Sequence, residues 1–153
     1  GSNWGENTGS TFTTSFPVTD PDPHRGQDGL DNGNGIFYRT DGNRKLTFVG
    51  ISDGVSNTFM IGEDRHSFDQ HCGGWAYANY VNATCAIPLN YADPGSDYTD
   101  WPNRYSFHSL HGDGANFCLA DGSVRFVRDS IDIDTYRALS TIHGGEPVQA
   151  EDD

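Results

Sequence analysis

Asp121-Gly122 stands between two short apolar runs, Asn116 to Ala120 and Ser123 to Val127, and no other feature of the chain constrains its fold as strongly. Asp-Gly flanked by apolar residues favours a two-residue type I′ hairpin, because both central positions of that turn need positive φ. In that register Ala120 faces Ser123, Leu119 faces Val124, Cys118 faces Arg125 and Phe117 faces Phe126. Alternation then gathers Phe117, Leu119, Val124 and Phe126 on one face, an apolar patch that has to pack against something. The hairpin is therefore expected at the centre of the core.

The surrounding chain supplies partners. Thr58 to Ile61 reads as a buried strand ending at Gly62-Glu63, and Ile36 to Arg39 and Leu46 to Val49 read as shorter ones. Asp53-Gly54-Val55-Ser56-Asn57 carries turn chemistry. Beyond the hairpin, Asp132 or Asp134 can cap a helix of about ten residues whose apolar positions Ile133, Tyr136, Leu139 and Ile142 fall three apart, with Gly144 as its stop. Trp75 to Val81 is aromatic-rich and extended, whereas Asn82 to Arg104 reads as a long excursion. The first 35 residues are loop with Trp4, Phe12 and Phe16 as anchors, and the acidic tail from Glu146 to Asp153 frays. With 153 residues the expectation is one domain, 1–153, in the α+β class: an antiparallel sheet with long loops and a short C-terminal helix.

Charge narrows the partners. Nine Lys and Arg against 22 acidic residues give a net charge of -13, the wrong sign for nucleic acid or an anionic membrane surface, so neither is expected to bind this chain. Cations are the natural counterparts. The acids are 18 Asp and only 4 Glu, which places them in turns, caps and oxygen-ligand loops instead of on helix faces. Asp20-Pro-Asp22, followed by Asp28-Gly-Leu-Asp31-Asn32-Gly-Asn34-Gly35, is dense in oxygen donors on flexible backbone, as calcium requires. It does not follow the EF-hand order, since Leu30 stands where a third-position ligand belongs, and a connector built of Asx turns is the competing reading.

Cys72, Cys85 and Cys118 are an odd number of thiols. A bridge between Cys72 and Cys85 would close one loop and, in an exported protein, stabilise it by about 2 to 3 kcal/mol. Cys118, inside an apolar strand, is expected as a buried unpaired thiol. No hydrophobic run approaches the ~20 residues of a membrane span.

His108 and His111 lie three apart just before Asp113, so two imidazoles and a carboxylate share one short stretch. A metal-dependent hydrolase could be built from them, but no His-Glu-x-x-His spacing accompanies them, and structural hydrogen bonding is the preferred reading. No nucleophile elbow, phosphate loop or dinucleotide fingerprint is present, and no catalytic residue is assigned. Trp75, Tyr77, Tyr80 and Trp101 would serve either as sheet core or as a glycan-binding platform.

The stretch from Ser106 to Phe126, with His111, nine intervening residues and then Asp121-Gly122, resembles the signature of bacterial prepilin-type proteins abundant in planctomycetes. Ile51 to Glu63, containing Asp53, Gly54, Asn57 and Glu63, is similar to that family's second block, and Gly35 to Arg39 to the strand before it. Ser2-Asn3-Trp4 and Gly144-Gly145-Glu146 resemble its flanking markers. The resemblance implies a type IV pilin-like head exported beyond the inner membrane, from a precursor whose leader and long hydrophobic helix precede Gly1. It implies other pilin-like subunits as partners, and the family's second label, extracellular solute-binding, adds a glycan or small solute as the alternative. Major pseudopilins hold calcium in an Asp-bearing loop, which favours calcium at Asp20 to Asn34. No catalytic residue comes with the resemblance. Asp121 and Gly122 are expected to make the turn, and Glu63 to partner His111 or Arg125.

Overall fold

Apolar residues that alternate with small or polar ones form three antiparallel strands: β1 (Phe59–Gly62), β2 (Gly114–Leu119) and β3 (Val124–Arg128), in the order β1-β2-β3. The computed structural model describes residues 12, 34–37, 45–65, 83–91, 103 and 105–145. One helix follows the sheet, α1 (Ile133–Ala138), and the fold class is α+β as the sequence implies. Asp132 is its cap: one carboxylate oxygen accepts the Thr135 N–H at 2.9 Å and the Thr135 hydroxyl at 3.1 Å. These bonds, the backbone one first, hold the Asp132 carboxyl below the ordinary carboxylate range.

The core lies between the inner sheet face and α1. Phe59 of β1 stacks on Phe117 of β2 with ring centroids 4.3 Å apart, and Phe107 meets Phe117 edge-on at 5.0 Å. Tyr136 of α1 caps both rings at 6.0 Å. Cys85, Leu89, Ala115, Leu119, Val127 and Leu139 complete this cluster. Aromatic pairs of this kind add about 0.5 to 1.5 kcal/mol beyond the area they bury.

The hairpin forms, but in a different register from the one its Asp-Gly suggests. Leu119 donates its N–H to the Ser123 carbonyl at 2.8 Å, and Gly122 donates to the Leu119 carbonyl at 2.9 Å. Gly122 has φ +86°, and Asp121 is not left-handed. The loop is therefore a three-residue connection with a bulge at Gly122, not a two-residue type I′ turn. The Asp121 carboxylate enforces it by accepting the Ser123 N–H at 2.9 Å and the Ser123 hydroxyl at 2.6 Å. Contacts from far upstream hold it, since Ala120 donates to the Thr58 carbonyl at 2.9 Å and Asp121 to the Val55 carbonyl at 3.0 Å.

The pairs are consequently Ala115 with Val127, Asn116 with Phe126, Phe117 with Arg125 and Cys118 with Val124. A one-residue slip reverses every side chain of a strand. Val124 and Phe126, expected in the core, point outward with 68% and 42% exposure, and Val127 is buried in their place.

Other expectations also need correction. Leu46 to Val49 is not a strand: Gly50 N–H to the Thr47 carbonyl (2.8 Å) and Ile51 N–H to the Phe48 carbonyl (3.2 Å) close a 3₁₀ turn over Phe48–Gly50. Its β-prone residues pair with no strand, and Phe48 and Val49 are exposed. Ile36 and Phe37 also lie outside any strand, while Tyr38 and Arg39 fall outside the described residues. The helix has six residues instead of about ten. Leu139 and Ile142 are still buried, but beyond the last helical turn.

The start of the expected excursion is core. Thr84, Cys85, Ala86, Ile87 and Leu89 are buried, and the segment runs beside 105–109 through Thr84 N–H to the Tyr105 carbonyl (2.8 Å) and Asn90 N–H to the Phe107 carbonyl (3.0 Å). Cys85 is a free, buried thiol, and Cys72, its expected bridge partner, lies outside the described residues. Its sulfur packs against Tyr136 and Ser140, and loss of water pushes its thiol pKa up. Cys118 is free as expected but half-buried, because its position in β2 faces outward.

Candidate functional site

The residues singled out in the sequence occupy two anchoring points at opposite ends of β2. His111 precedes the strand and Asp121-Gly122 follows it, so the six-residue strand holds them about 17 Å apart along its axis. They do not converge on one site.

At the start of β2, Glu63 joins Asn116. Glu63 donates its N–H to the Asn116 carbonyl at 3.2 Å, and its carboxylate accepts the Asn116 N–H at 2.8 Å and Asn116 Nδ2 at 3.2 Å. The backbone bond from Asn116 is the main reason its carboxyl lies below the ordinary range, against a smaller desolvation effect. His111 stands over this pair, Nε2 lying 3.5 Å from Glu63 Oε1 and 3.4 Å from Asn116 Nδ2. Its ring meets Phe126 edge-on at 5.9 Å. Of the two partners expected for Glu63, the structure selects His111. The result is an exposed corner in which an aromatic ring, an imidazole, an amide and a carboxylate face solvent together.

At the other end of β2, Asp53 ties its own turn to the segment after α1. Its carboxylate accepts the Thr141 hydroxyl at 3.0 Å, the Gly144 N–H at 2.7 Å and the Gly145 N–H at 2.9 Å. Gly54 adopts φ +96°, and the Asn57 N–H closes the turn on its carbonyl at 3.0 Å. Thr58, buried, donates its hydroxyl to the Gly54 carbonyl at 3.1 Å. With the bonds from Ala120 and Asp121 to Thr58 and Val55, the 53–58 block locks the hairpin tip to the segment after α1.

His108, His111 and Asp113 do not assemble. His108 is buried and its Nε2 lies 3.0 Å from the Tyr91 carbonyl, with Nδ1 3.8 Å from Asp64 Oδ1. Asp113 is exposed and gives its main-chain carbonyl to the Asp129 N–H at 3.0 Å. Among the described residues no three His, Cys, Asp or Glu side chains gather around one point. Of the expected calcium ligands only Asn34 is described: it is buried, and its carbonyl accepts the Ile142 N–H at 3.1 Å. Asp20, Asp22, Asp28, Asp31 and Asn32 lie outside the described residues, as do Trp75, Tyr77, Tyr80 and Trp101.

Sequence reasoning missed Asn116 and Thr141. Asn116 left one signal, an amide inside an otherwise apolar strand. Thr141 left none, because its role depends on a carboxylate 88 positions away.

No curated protein and no solved structure matches the chain. A family model described as Protein of unknown function (DUF1559), with the short label SBP_bac_10, matches residues 5–134 and so takes in β1, the hairpin and the start of α1. With both anchoring blocks inside a match of that length, the chain belongs to the DUF1559 family.

Proposed function

We propose that this chain is the head of a non-enzymatic structural or assembly subunit, working outside the cytoplasm in a pilus-like or pseudopilin-like system. The observation that carries the reading is where the motif residues spend their bonding capacity. Asp53, Gly54, Asn57, Glu63, His111, Asp121 and Gly122 all serve internal turns, caps and strand joints, and they frame no common reaction centre. A framework held in this way suits a subunit whose task is to present a surface. The resemblance of Ile51 to Glu63 and Ser106 to Phe126 to prepilin-type proteins points the same way, with other pilin-like subunits as partners.

Fractionation of the native bacterium with crosslinking tests it. The full-length product should appear processed at its N-terminus, outside the cytoplasm and crosslinked to pilin-like subunits. An unprocessed cytoplasmic product would overturn the reading.

A second reading, a secreted module for a glycan or small solute, is favoured by the corner of Phe126, His111, Asn116 and Glu63. An exposed ring beside hydrogen-bonding groups is the chemistry that holds a sugar. A glycan array hit abolished by Asn116→Ala would establish it, and a blank array would remove it.

A further inference from the structure

Among the described residues β3 is an edge strand, and the register specifies which of its groups are available. The bonds from Leu119 N–H to the Ser123 carbonyl (2.8 Å) and from Asp129 N–H to the Asp113 carbonyl (3.0 Å) set the alternation. Arg125 and Val127 turn their main-chain groups toward β2, whereas Val124 and Phe126 turn theirs away. Among the described residues no hydrogen bond takes the outward N–H and C=O groups of Val124 and Phe126. The next outward residue, Arg128, already gives its carbonyl to the Ile131 N–H at 3.1 Å.

The side chains of this edge are also uncovered. Val124 and Phe126 are exposed, and the register aligns Val124 with Cys118 and Ile61 in one row across the outer face, where Ile61 is 58% exposed. Unpaired edges of this kind are templates for another strand, and they are normally blunted by proline, a bulge or a covering element. Within Val124–Arg128 there is no proline, and charge at Arg125 and Arg128 is the one such device present.

We propose that β3 pairs antiparallel with β3 of a second copy of this chain, about a two-fold axis at Phe126, joining the two sheets edge to edge. Three of the registers that bring outward-facing groups together centre on the middle of the strand, and physics separates them. An axis at Arg125 uses every available main-chain group but sets Arg125 opposite its own copy, which is repulsive. An axis at Val127 draws both of its bonded pairs from Arg128, whose carbonyl is committed. An axis at Phe126 bonds the unused main-chain groups of Phe126 to each other and pairs the two rings, so its central pair is free of Arg128, which enters only in the two flanking pairs with Val124. It also puts Arg125 opposite the second copy's Val127, with the second copy's Asp129 on the diagonal about 7 to 8 Å away, within reach of a long side chain. Two equivalent Arg125–Asp129 pairs then flank the axis, so the strand is complementary to itself although the chain carries a charge of -13. Such a contact is isologous and closed, and makes pairs, not filaments. It does not rest on the assembly reading, because the open edge and the charges of Arg125 and Asp129 are the same in either role, although pairing of the Phe126 rings would compete with a sugar at that corner.

Sedimentation equilibrium of the whole chain, from about 10 to 500 µM at low and at high salt, tests the pairing. A dimer should form and should tighten as salt rises, because screening weakens the repulsion between two acidic copies. Phe126→Lys should weaken it about tenfold or more, and Arg125→Asp or Asp129→Arg should each weaken it, whereas the double exchange of Arg125→Asp with Asp129→Arg should restore it. All of these side chains are exposed in the monomer, and circular dichroism with a thermal melt confirms that each variant folds. A monomer at every concentration and salt overturns the proposal. So does a dimer indifferent to Phe126→Lys, or a double exchange no tighter than its single parents.

Discussion

The Glu63 carboxylate stands in for a backbone carbonyl opposite Asn116: β1 ends at Gly62, and the Glu63 side chain takes the Asn116 N–H at 2.8 Å that a continuing strand would have taken. The sheet is thus extended by a charged side chain, and the extension depends on ionisation.

Glu63→Gln should therefore lower stability by about 1 to 2 kcal/mol at neutral pH, the difference between a charge-assisted and a neutral hydrogen bond at a partly exposed site. The folded carboxyl lies below its ordinary value of 4.5, so its contribution is fully present above that value and is lost as pH falls through the lower folded one. Urea titrations of both proteins between neutral pH and acid should converge below pH 4.5. A gap that persists into acid would contradict the role assigned to the charge.

Asp53→Ala should release the segment after α1. It removes the acceptor of the Gly144 and Gly145 N–H groups at once and leaves the Thr141 hydroxyl only the Ala138 carbonyl, and an N–H left without its charged partner costs about 1 to 3 kcal/mol. Hydrogen exchange should accelerate at Gly144 and Gly145 before it does so in β2. Unchanged protection at those two amides would refute the tie.

Gly114→Ala should be severe, because an added Cβ would meet the main-chain carbonyl of Val127, which has no room to move within the ladder. A cost of about 2 kcal/mol or more is expected. Gly112→Ala, two residues earlier, has nothing within 4 Å of the added carbon and should change stability by less than about 0.5 kcal/mol. Melting temperatures of the pair provide the comparison.

Tyr136→Phe should be neutral or stabilising. Among the described residues the buried Tyr136 hydroxyl is offered only the weakly bonding Cys85 thiol, and burial raises its pKa well above 10.0. Removing an unsatisfied buried hydroxyl removes a desolvation cost of about 1 to 3 kcal/mol. The same packing predicts that a thiol reagent, followed by peptide mapping, modifies half-buried Cys118 in the native protein and reaches Cys85 only on unfolding. Equal labelling of both in the native state would contradict the burial of Cys85.

Local chemistry alone determined that residues 116–127 make a hairpin, that Asp132 or Asp134 caps a helix and that Thr58 to Ile61 leads into a strand. Each depends on side chains within a few positions of one another. Tertiary structure joined the local Asp121–Ser123 bonds in deciding the register of that hairpin, because the bonds from Ala120 and Asp121 run to Thr58 and Val55, more than sixty positions upstream. A turn motif limits a hairpin to a few loop geometries, and the distant block selects among them; a change of one residue then exchanges buried for exposed along the whole strand. Val124 and Phe126 read as core for that reason and stand on the surface. Cys85, Ala86, Ile87 and Leu89 read as loop and lie in the core, since four apolar residues carry no periodicity and are buried only by what packs over them.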